Sequence, residues 1–342
     1  MPGWKERLKG DPTPWLLEVD TAQPAVRYFT LRDILGRRPD DSELRQAGDA
    51  VMASGPVPKI LAAQYPEGFW VKPGPGYGPK YMGTVWQVTF LAQLGADGTD
   101  PGVRAAVEYV LSNSIAPHGG FSVNKTPSAF IDCLAGNLGA ALLDLGWGDD
   151  ERLRKALQWQ ARTITGEGVA SAGDKSTVRR YYKSGTFGPD FVCAANNGPC
   201  AWGAVKAMLA FGKLPPSQRT PLIEMAIERG VGFLLSRDPA VADYHMGWTE
   251  KPNRSWFKFG YPIAYVTDVL QNLEALAALG YAGDSRMANA LKLVESKQDA
   301  RGRWKMEYGY NGKTWADIEE KGQPSKWVTL RALRVLKAAY PG

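Results

Sequence analysis

Apolar positions along this chain fall into two alternating helical patterns, and no stretch keeps the period-2 alternation of a half-buried strand. One pattern is apolar on more than one face and ends in glycine after leucine or phenylalanine: residues 80–95 (KYMGTVWQVTFLAQLG), 130–146 (FIDCLAGNLGAALLDLG), 198–212 (GPCAWGAVKAMLAFG) and 262–280 (PIAYVTDVLQNLEALAALG). A fifth, 324–340 (PSKWVTLRALRVLKAAY), comes last. A helix covered on both sides has this character, and the terminal glycine suits a left-handed C-cap. The second pattern, at 101–113, 149–163, 217–237 and 284–297, carries its charges on one side. With 23–35 and 41–53 ahead of them, about six helix pairs are predicted. Apolar helices inside and amphipathic ones outside give an all-α fold, an α/α toroid of about six helical hairpins. It would form a single domain over residues 1–342 with an N-terminal arm at 1–20. A linear solenoid is the alternative, but it needs polar capping repeats, and the last helix is among the most apolar.

A shorter unit also repeats. Gln64 to Trp70 (QYPEGFW) and Gln298 to Trp304 (QDARGRW) share Gln-x3-Gly-x-Trp, each between an apolar helix and the next, and Gly119-Gly120-Phe121 is a degenerate copy without the Gln. Glycine permits the turn, the indole covers the gap between hairpins, and the Gln amide can satisfy backbone groups at a neighbouring helix end.

On these residues the chain resembles the terpenoid cyclase and protein prenyltransferase superfamily, whose squalene-hopene cyclases carry the repeat as the QW motif. The resemblance runs from about Lys59 onward. It implies a barrel whose inner-helix N-termini surround a deep aromatic-lined cavity, and an enzyme acting there on a hydrophobic, in some cases phosphorylated, substrate. Squalene cyclases are much longer two-domain chains, so this would be a single toroid. In squalene-hopene cyclases an Asp-x-Asp-Asp-Thr-Ala segment supplies the protonating acid. The stretch 130–135 keeps only Asp132 and Ala135 of it, so the resemblance implies Asp132 as the acid while the carboxylates that would tune it are missing. Capping its helix is the other reading of Asp132. No Asp-Asp-x-x-Asp metal motif is present, and Asp40-Asp41 and Asp149-Asp150 look like caps. The prenyltransferase zinc set, an Asp-x-Cys with a distant His, does not transfer to the adjacent Asp132 and Cys133.

Composition narrows the partners. Forty-one Lys and Arg against 35 Asp and Glu give +6, which suits a small anionic ligand and falls short of a nucleic-acid footprint. No apolar run reaches the ~20 residues of a membrane span. The start, MPGWKERLKGDPTPW, has no apolar stretch behind its charges, so no signal peptide and a cytoplasmic location are expected. Nothing in the chain identifies a partner subunit.

Three cysteines argue against a disulfide framework. Cys133, Cys193 and Cys200 lie at or before inner-helix starts, which in a toroid open on one mouth. Their sulfurs, with His245 or Asp132, would make a zinc site of ordinary composition, and a metal-dependent hydrolase is the alternative function. A lone activated thiol, with its pKa lowered at a helix start, and inert packing are the other readings. Of the two histidines, His118 takes the place of the absent Gln, and His245, between Tyr244 and Trp248, is an acid-base or ligand candidate. Asp268 joins Asp132 and Asp144 as the few inner-helix carboxylates and is a third catalytic candidate. The long connection at 166–197 carries Arg179, Arg180, Tyr181 and Lys183, either an anion-binding cover over helix N-termini or a solvated loop. Trp86, Trp202, Trp256 and Tyr261 are expected to line the cavity, where aromatic faces suit an apolar ligand, a carbocation or a sugar ring. A non-catalytic lipid- or isoprenoid-binding module is the third function class. Zinc is the sole cofactor expected.

Overall fold

The computed structural model describes residues 3–170, 174, 176, 189–193, 198–246 and 251–342. Its helices are α1 (Thr13–Leu16), α2 (Pro24–Phe29), α3 (Ser42–Ala53), α4 (Pro56–Ala62), α5 (Thr84–Gln93), α6 (Pro101–Asn113) and α7 (Asp132–Asp144). They continue as α8 (Glu151–Thr165), α9 (Ala201–Lys213), α10 (Pro221–Leu234), α11 (Val269–Ala278), α12 (Ala288–Ser296) and α13 (Lys326–Ala339). A π-helical turn, Thr30–Ile34, prolongs α2.

Neighbouring inner helices pack in order, α5 on α7, α7 on α9, α9 on α11, α11 on α13, and α13 on α2 and the π turn. Gly95, just after α5, lies against the Phe29 ring and completes the circuit. Outside it, α3 covers α2, α6 covers α5, α8 covers α7, α10 covers α9 and α12 covers α11. The last inner helix, α13, is covered by Trp4–Arg7 and α1, with the Trp4 N–H on the Tyr340 carbonyl at 3.0 Å. The architecture is the all-α toroid that the alternation predicted. Among the described residues, extended structure is limited to two antiparallel pairs of two-residue strands, Val192–Cys193 with Gly198–Pro199 and Trp304–Lys305 with Pro324–Ser325. No helix among them is long and apolar enough to cross a membrane.

In each acidic pair at an outer-helix start only the second residue is the cap: Asp41 accepts from the Glu43 and Leu44 N–H groups and Asp150 from that of Arg152, while Asp40 and Asp149 pair with Arg38 and Arg154. One inner helix starts later than its apolar run suggests. Helix α11 begins at Val269 behind an Asp268 cap, which leaves residues 262–268 as an approach segment.

The two Gln-x3-Gly-x-Trp units make the same hydrogen bonds. The Trp70 indole N–H donates to the Ile60 carbonyl and that of Trp304 to the Val294 carbonyl, both at 2.8 Å and both ten residues back. Their main-chain N–H groups donate to Thr84 Oγ1 and Thr329 Oγ1 on the following inner helices. The Gln64 amide donates to the Gly102 carbonyl at the start of α6, and the Gln298 amide to the Arg7 carbonyl. Gly68 has φ +92°, and a Cβ there would stand 2.4 Å from the Ala105 carbonyl oxygen, so the turn requires glycine. Each unit thus bolts an outer helix, the next inner helix and the neighbouring hairpin together. In the degenerate copy His118 bonds within its own connection and does not reach a neighbouring helix end as the Gln amides do. Its Nδ1 accepts from the Gly120 N–H at 3.0 Å, Nε2 reaches the Pro127 carbonyl at 3.2 Å, and the ring stacks on Trp159.

Candidate functional site

Helix α7 meets α9 closely because small residues face the contact: a Cβ on Gly136 would come 2.3 Å from the Lys206 main chain. At the start of this contact stands Asp132, with Gly203 directly against its Cβ. Asp132 is the first residue of α7 but not its cap. Ile131 is the N-cap residue, and no side chain closes that end. The capping reading therefore fails, and the carboxyl is turned inward: it is 7% exposed, and its Oδ1 has no hydrogen-bond partner. Gln160, from α8, donates to the Asp132 main-chain carbonyl at 3.2 Å.

Burial pushes the Asp132 carboxyl up to about 7, the Cys200 thiol adds to the rise, and the Gln160 amide opposes it. A carboxylic acid in this range keeps much of its proton near neutrality. Beside it, burial pushes the Cys133 thiol up to about 12, reinforced by Cys200 and only partly offset by Lys206. This reverses the lowering expected at a helix start, because loss of hydration outweighs the helix dipole. Lys206 on α9 is wholly buried, and its amine donates to Thr267 Oγ1. Burial brings it down to about 8 against the pull of Cys133, Cys200 and Asp268.

Aromatic rings form the wall of this end. Trp202, in the first turn of α9, meets Tyr265 edge-on at 5.5 Å, and the Lys80 amine lies 3.5 Å from the Tyr265 ring centre. Tyr77 and Tyr81 both pack on Trp86 at 5.2 Å, with the Trp86 N–H held by the Tyr77 carbonyl at 2.7 Å. Burial raises the Tyr265 hydroxyl, and all three cysteines act on it electrostatically, as Cys133 does on Tyr77. All three cysteines are thus within electrostatic reach of Tyr265. Yet no group of three or more His, Cys, Asp and Glu among the described residues has the arrangement to hold a metal ion. The donor set does not fit the expected zinc.

The remaining candidates disperse. His245 is exposed, and its carbonyl, not its ring, serves the site by accepting from the Ala201 N–H at the start of α9. Asp268 has both oxygens on the Arg331 guanidinium at 3.0 Å, accepts from the Tyr308 hydroxyl at 3.3 Å and caps α11 through Gln271 N–H, so it is an anchor of the fold. Trp256 is fully buried, its N–H on the Pro239 carbonyl at 2.8 Å, a strut like Trp70. Tyr261 stacks on Trp327 and donates to the Gln93 carbonyl, on the far side of the ring. Arg179, Arg180, Tyr181 and Lys183 lie outside the described residues. Sequence reasoning missed Lys206, although a single lysine inside the apolar run 198–212 was the visible signal. It also expected an aromatic interior, whereas the middle of the ring holds the polar set Lys206, Thr267, Asp268 and Arg331.

No protein-family model matches the chain, and no curated protein matches it. Among solved structures it is similar to the type II terpene cyclase MstE from Scytonema. A variant of that enzyme in complex with geranylgeranyl dihydroxybenzoate, its substrate, is 16% identical with TM-score 0.32, over 86% of this chain and 97% of that one. The apo enzyme is 15% identical with TM-score 0.30, over 87% of this chain and 98% of that one.

Proposed function

We propose that this chain is an enzyme of the terpenoid-cyclase type in which Asp132 protonates a hydrophobic isoprenoid held against the aromatic wall at the N-terminal end of the inner helices. The observation that carries the reading is Asp132 itself: a buried carboxyl at the head of an inner helix, raised to about 7, with one oxygen unpartnered. The QW-like units and the position of Asp132 within FIDCLA support the same family.

The chemistry follows from the surroundings. A single carboxyl near 7 is a weak donor for a bare alkene carbon. An epoxide or carbonyl oxygen can accept a hydrogen bond from the acid before taking its proton, so an oxygen-bearing isoprenoid is the favoured substrate. Positive charge then developing on carbon would be met by the faces of Trp86, Trp202, Tyr77 and Tyr265. The Cys133 thiol, raised to about 12, supplies no competing base beside the acid.

The test is incubation of the purified chain with linear isoprenoids and their terminal epoxides, with products identified by mass spectrometry. Cyclised products are expected from the epoxides. Asp132→Asn should lose roughly 100-fold or more of the rate, in line with the removal of a general acid, while its helical circular dichroism is unchanged. Undiminished turnover by Asp132→Asn, or no cyclised product from any substrate, overturns the proposal.

A further inference from the structure

Helix α11 begins only at Val269, and the apolar residues before it leave the wall of the ring. Hydrogen bonds fix where they go. In the circuit of six inner helices α5 stands opposite α11, with α7 and α9 on one side and α13 and α2 on the other. The Ile263 main chain is nevertheless clamped on α5: its N–H donates to Gln93 Oε1 at 2.7 Å, and its carbonyl accepts from Gln93 Nε2 at 2.6 Å. The Ala264 carbonyl accepts from the Asn137 amide of α7 at 2.9 Å, and the Gly260 carbonyl from Arg331 of α13 at 2.8 Å. A segment held by α13, then by the opposite helix, and then leading back to the start of α11 crosses the lumen. Tyr261, Ile263 and Ala264 are all buried along it.

Irregular backbone inside a ring of helices has to find partners for its N–H and carbonyl groups, and here side chains of the inner helices supply them. The two ends of the segment serve different compartments. Tyr261 and Ile263 line a cavity of about 370 Å3 among the C-terminal ends of the inner helices, with Asp144 and Lys213. Tyr265 instead belongs to the aromatic wall at the N-terminal end, where it meets Trp202 edge-on at 5.5 Å. The crossing segment is therefore a floor between the Asp132 end and the far cavity. Asn137, which holds it, stands five residues after Asp132 on the same helix. At a rise of 1.5 Å per residue the floor lies only about 7.5 Å below the acid.

We infer that this floor sets the length of isoprenoid the chain accepts, admitting ten- and fifteen-carbon chains and closing the far half of the lumen to longer ones. The inference rests on the functional reading above for the class of substrate and adds its size. Gln93 and Asn137 are the positioning residues, since they hold the floor by its main chain. A fifteen-carbon chain already has to fold to fit so shallow a space, and further units have nowhere to go. In a lumen open from end to end each added isoprene unit would bury more apolar surface and tighten binding by about a hundredfold or more. Above a floor that gain stops once the space is filled.

Quenching of tryptophan fluorescence in the full chain by geraniol, farnesol and geranylgeraniol tests this, with Trp86 and Trp202 as reporters in the wall. The natural chain is expected to bind geranylgeraniol no more tightly than farnesol. Gln93→Ala combined with Asn137→Ala, and separately the milder Ile263→Ala, should tighten geranylgeraniol at least tenfold and leave geraniol within about threefold, with the helical circular dichroism retained. Asp132→Asn should keep the order of affinities of the natural chain. Binding that stops improving at farnesol without any cyclised product from the epoxides would sustain the floor while refuting the acid. Affinity that climbs tenfold or more from farnesol to geranylgeraniol, no binding of any of the three alcohols, or folded floor variants with an unchanged preference overturns the inference.

Discussion

Replacing Asp132 by Asn should make the protein more stable, and increasingly so as pH rises. In the folded state burial holds the carboxyl near 7, whereas in the unfolded chain it returns to about 3.8. Below the lower value Asp132 is protonated in both states and imposes no pH dependence. Between the two values the unfolded chain ionises while the folded one keeps its proton, so stability falls with rising pH. Above 7 the folded carboxylate is also charged and the loss levels off. At about 1.36 kcal/mol for each pH unit between the two values, the accumulated loss reaches up to about 4 kcal/mol. Asn carries no titrating proton and escapes it. The difference in unfolding free energy between Asp132→Asn and the natural chain, read from urea transitions at pH values from about 4 to 8.5, should therefore climb through this window and flatten above it. Taking the difference cancels the contribution of Lys206, whose amine titrates nearby at about 8. A difference that stays flat with pH, or that falls, refutes the claim that Asp132 is a desolvated acid.

Three further substitutions test the frame around the site. Trp304→Phe takes the indole donor from the Val294 carbonyl, which keeps the Lys297 N–H at 3.2 Å, and should cost about 0.5–1.5 kcal/mol in urea unfolding; Trp70→Phe should match it, since the Ile60 carbonyl likewise keeps the Ala63 N–H at 3.2 Å. Asp268→Asn takes the fully buried one of two carboxylates from the Arg331 guanidinium, leaving Glu274 at 2.7 Å, and should destabilise by about 1–3 kcal/mol, seen as a fall in melting temperature.

The fold was legible because its two signals have a simple physical origin. Helices buried on both sides must be apolar all round, and a turn that brings Gly68 or Gly302 against another main chain must be glycine, so both leave a period in the sequence. Asp132 was legible too, as a carboxylate inside an apolar run. What the chain did not disclose was direction. Asp268 and Asp132 both stand at inner-helix starts, yet Arg331, 63 residues further along, occupies one and leaves the other alone. Trp256 and Trp202 are equally aromatic, but only the second reaches the Asp132 end, because a carbonyl 17 residues back fixes the first as a strut. Cys133 stands at its helix start as expected, and burial gives it the opposite chemistry to the one that start suggested. Such outcomes depend on distant partners and on hydration, neither of which leaves a local pattern.

The position of Asp132 at a helix N-terminus sharpens the point. The dipole of α7 favours the charged carboxylate there, by about 0.3–1 kcal/mol at exposed ends and up to about 2 in buried geometry. The carboxyl nevertheless rises to about 7, a change of up to about 4 kcal/mol in the other direction. Dryness thus outweighs the dipole by a factor of about two or more, and it is the quantity that sets the acid's state. Water admitted to this end would let the dipole prevail and release the proton to solvent. A hydrophobic substrate that seals the end would keep the proton on Asp132 until a better base arrives. The same occupancy that positions the substrate would therefore arm the acid.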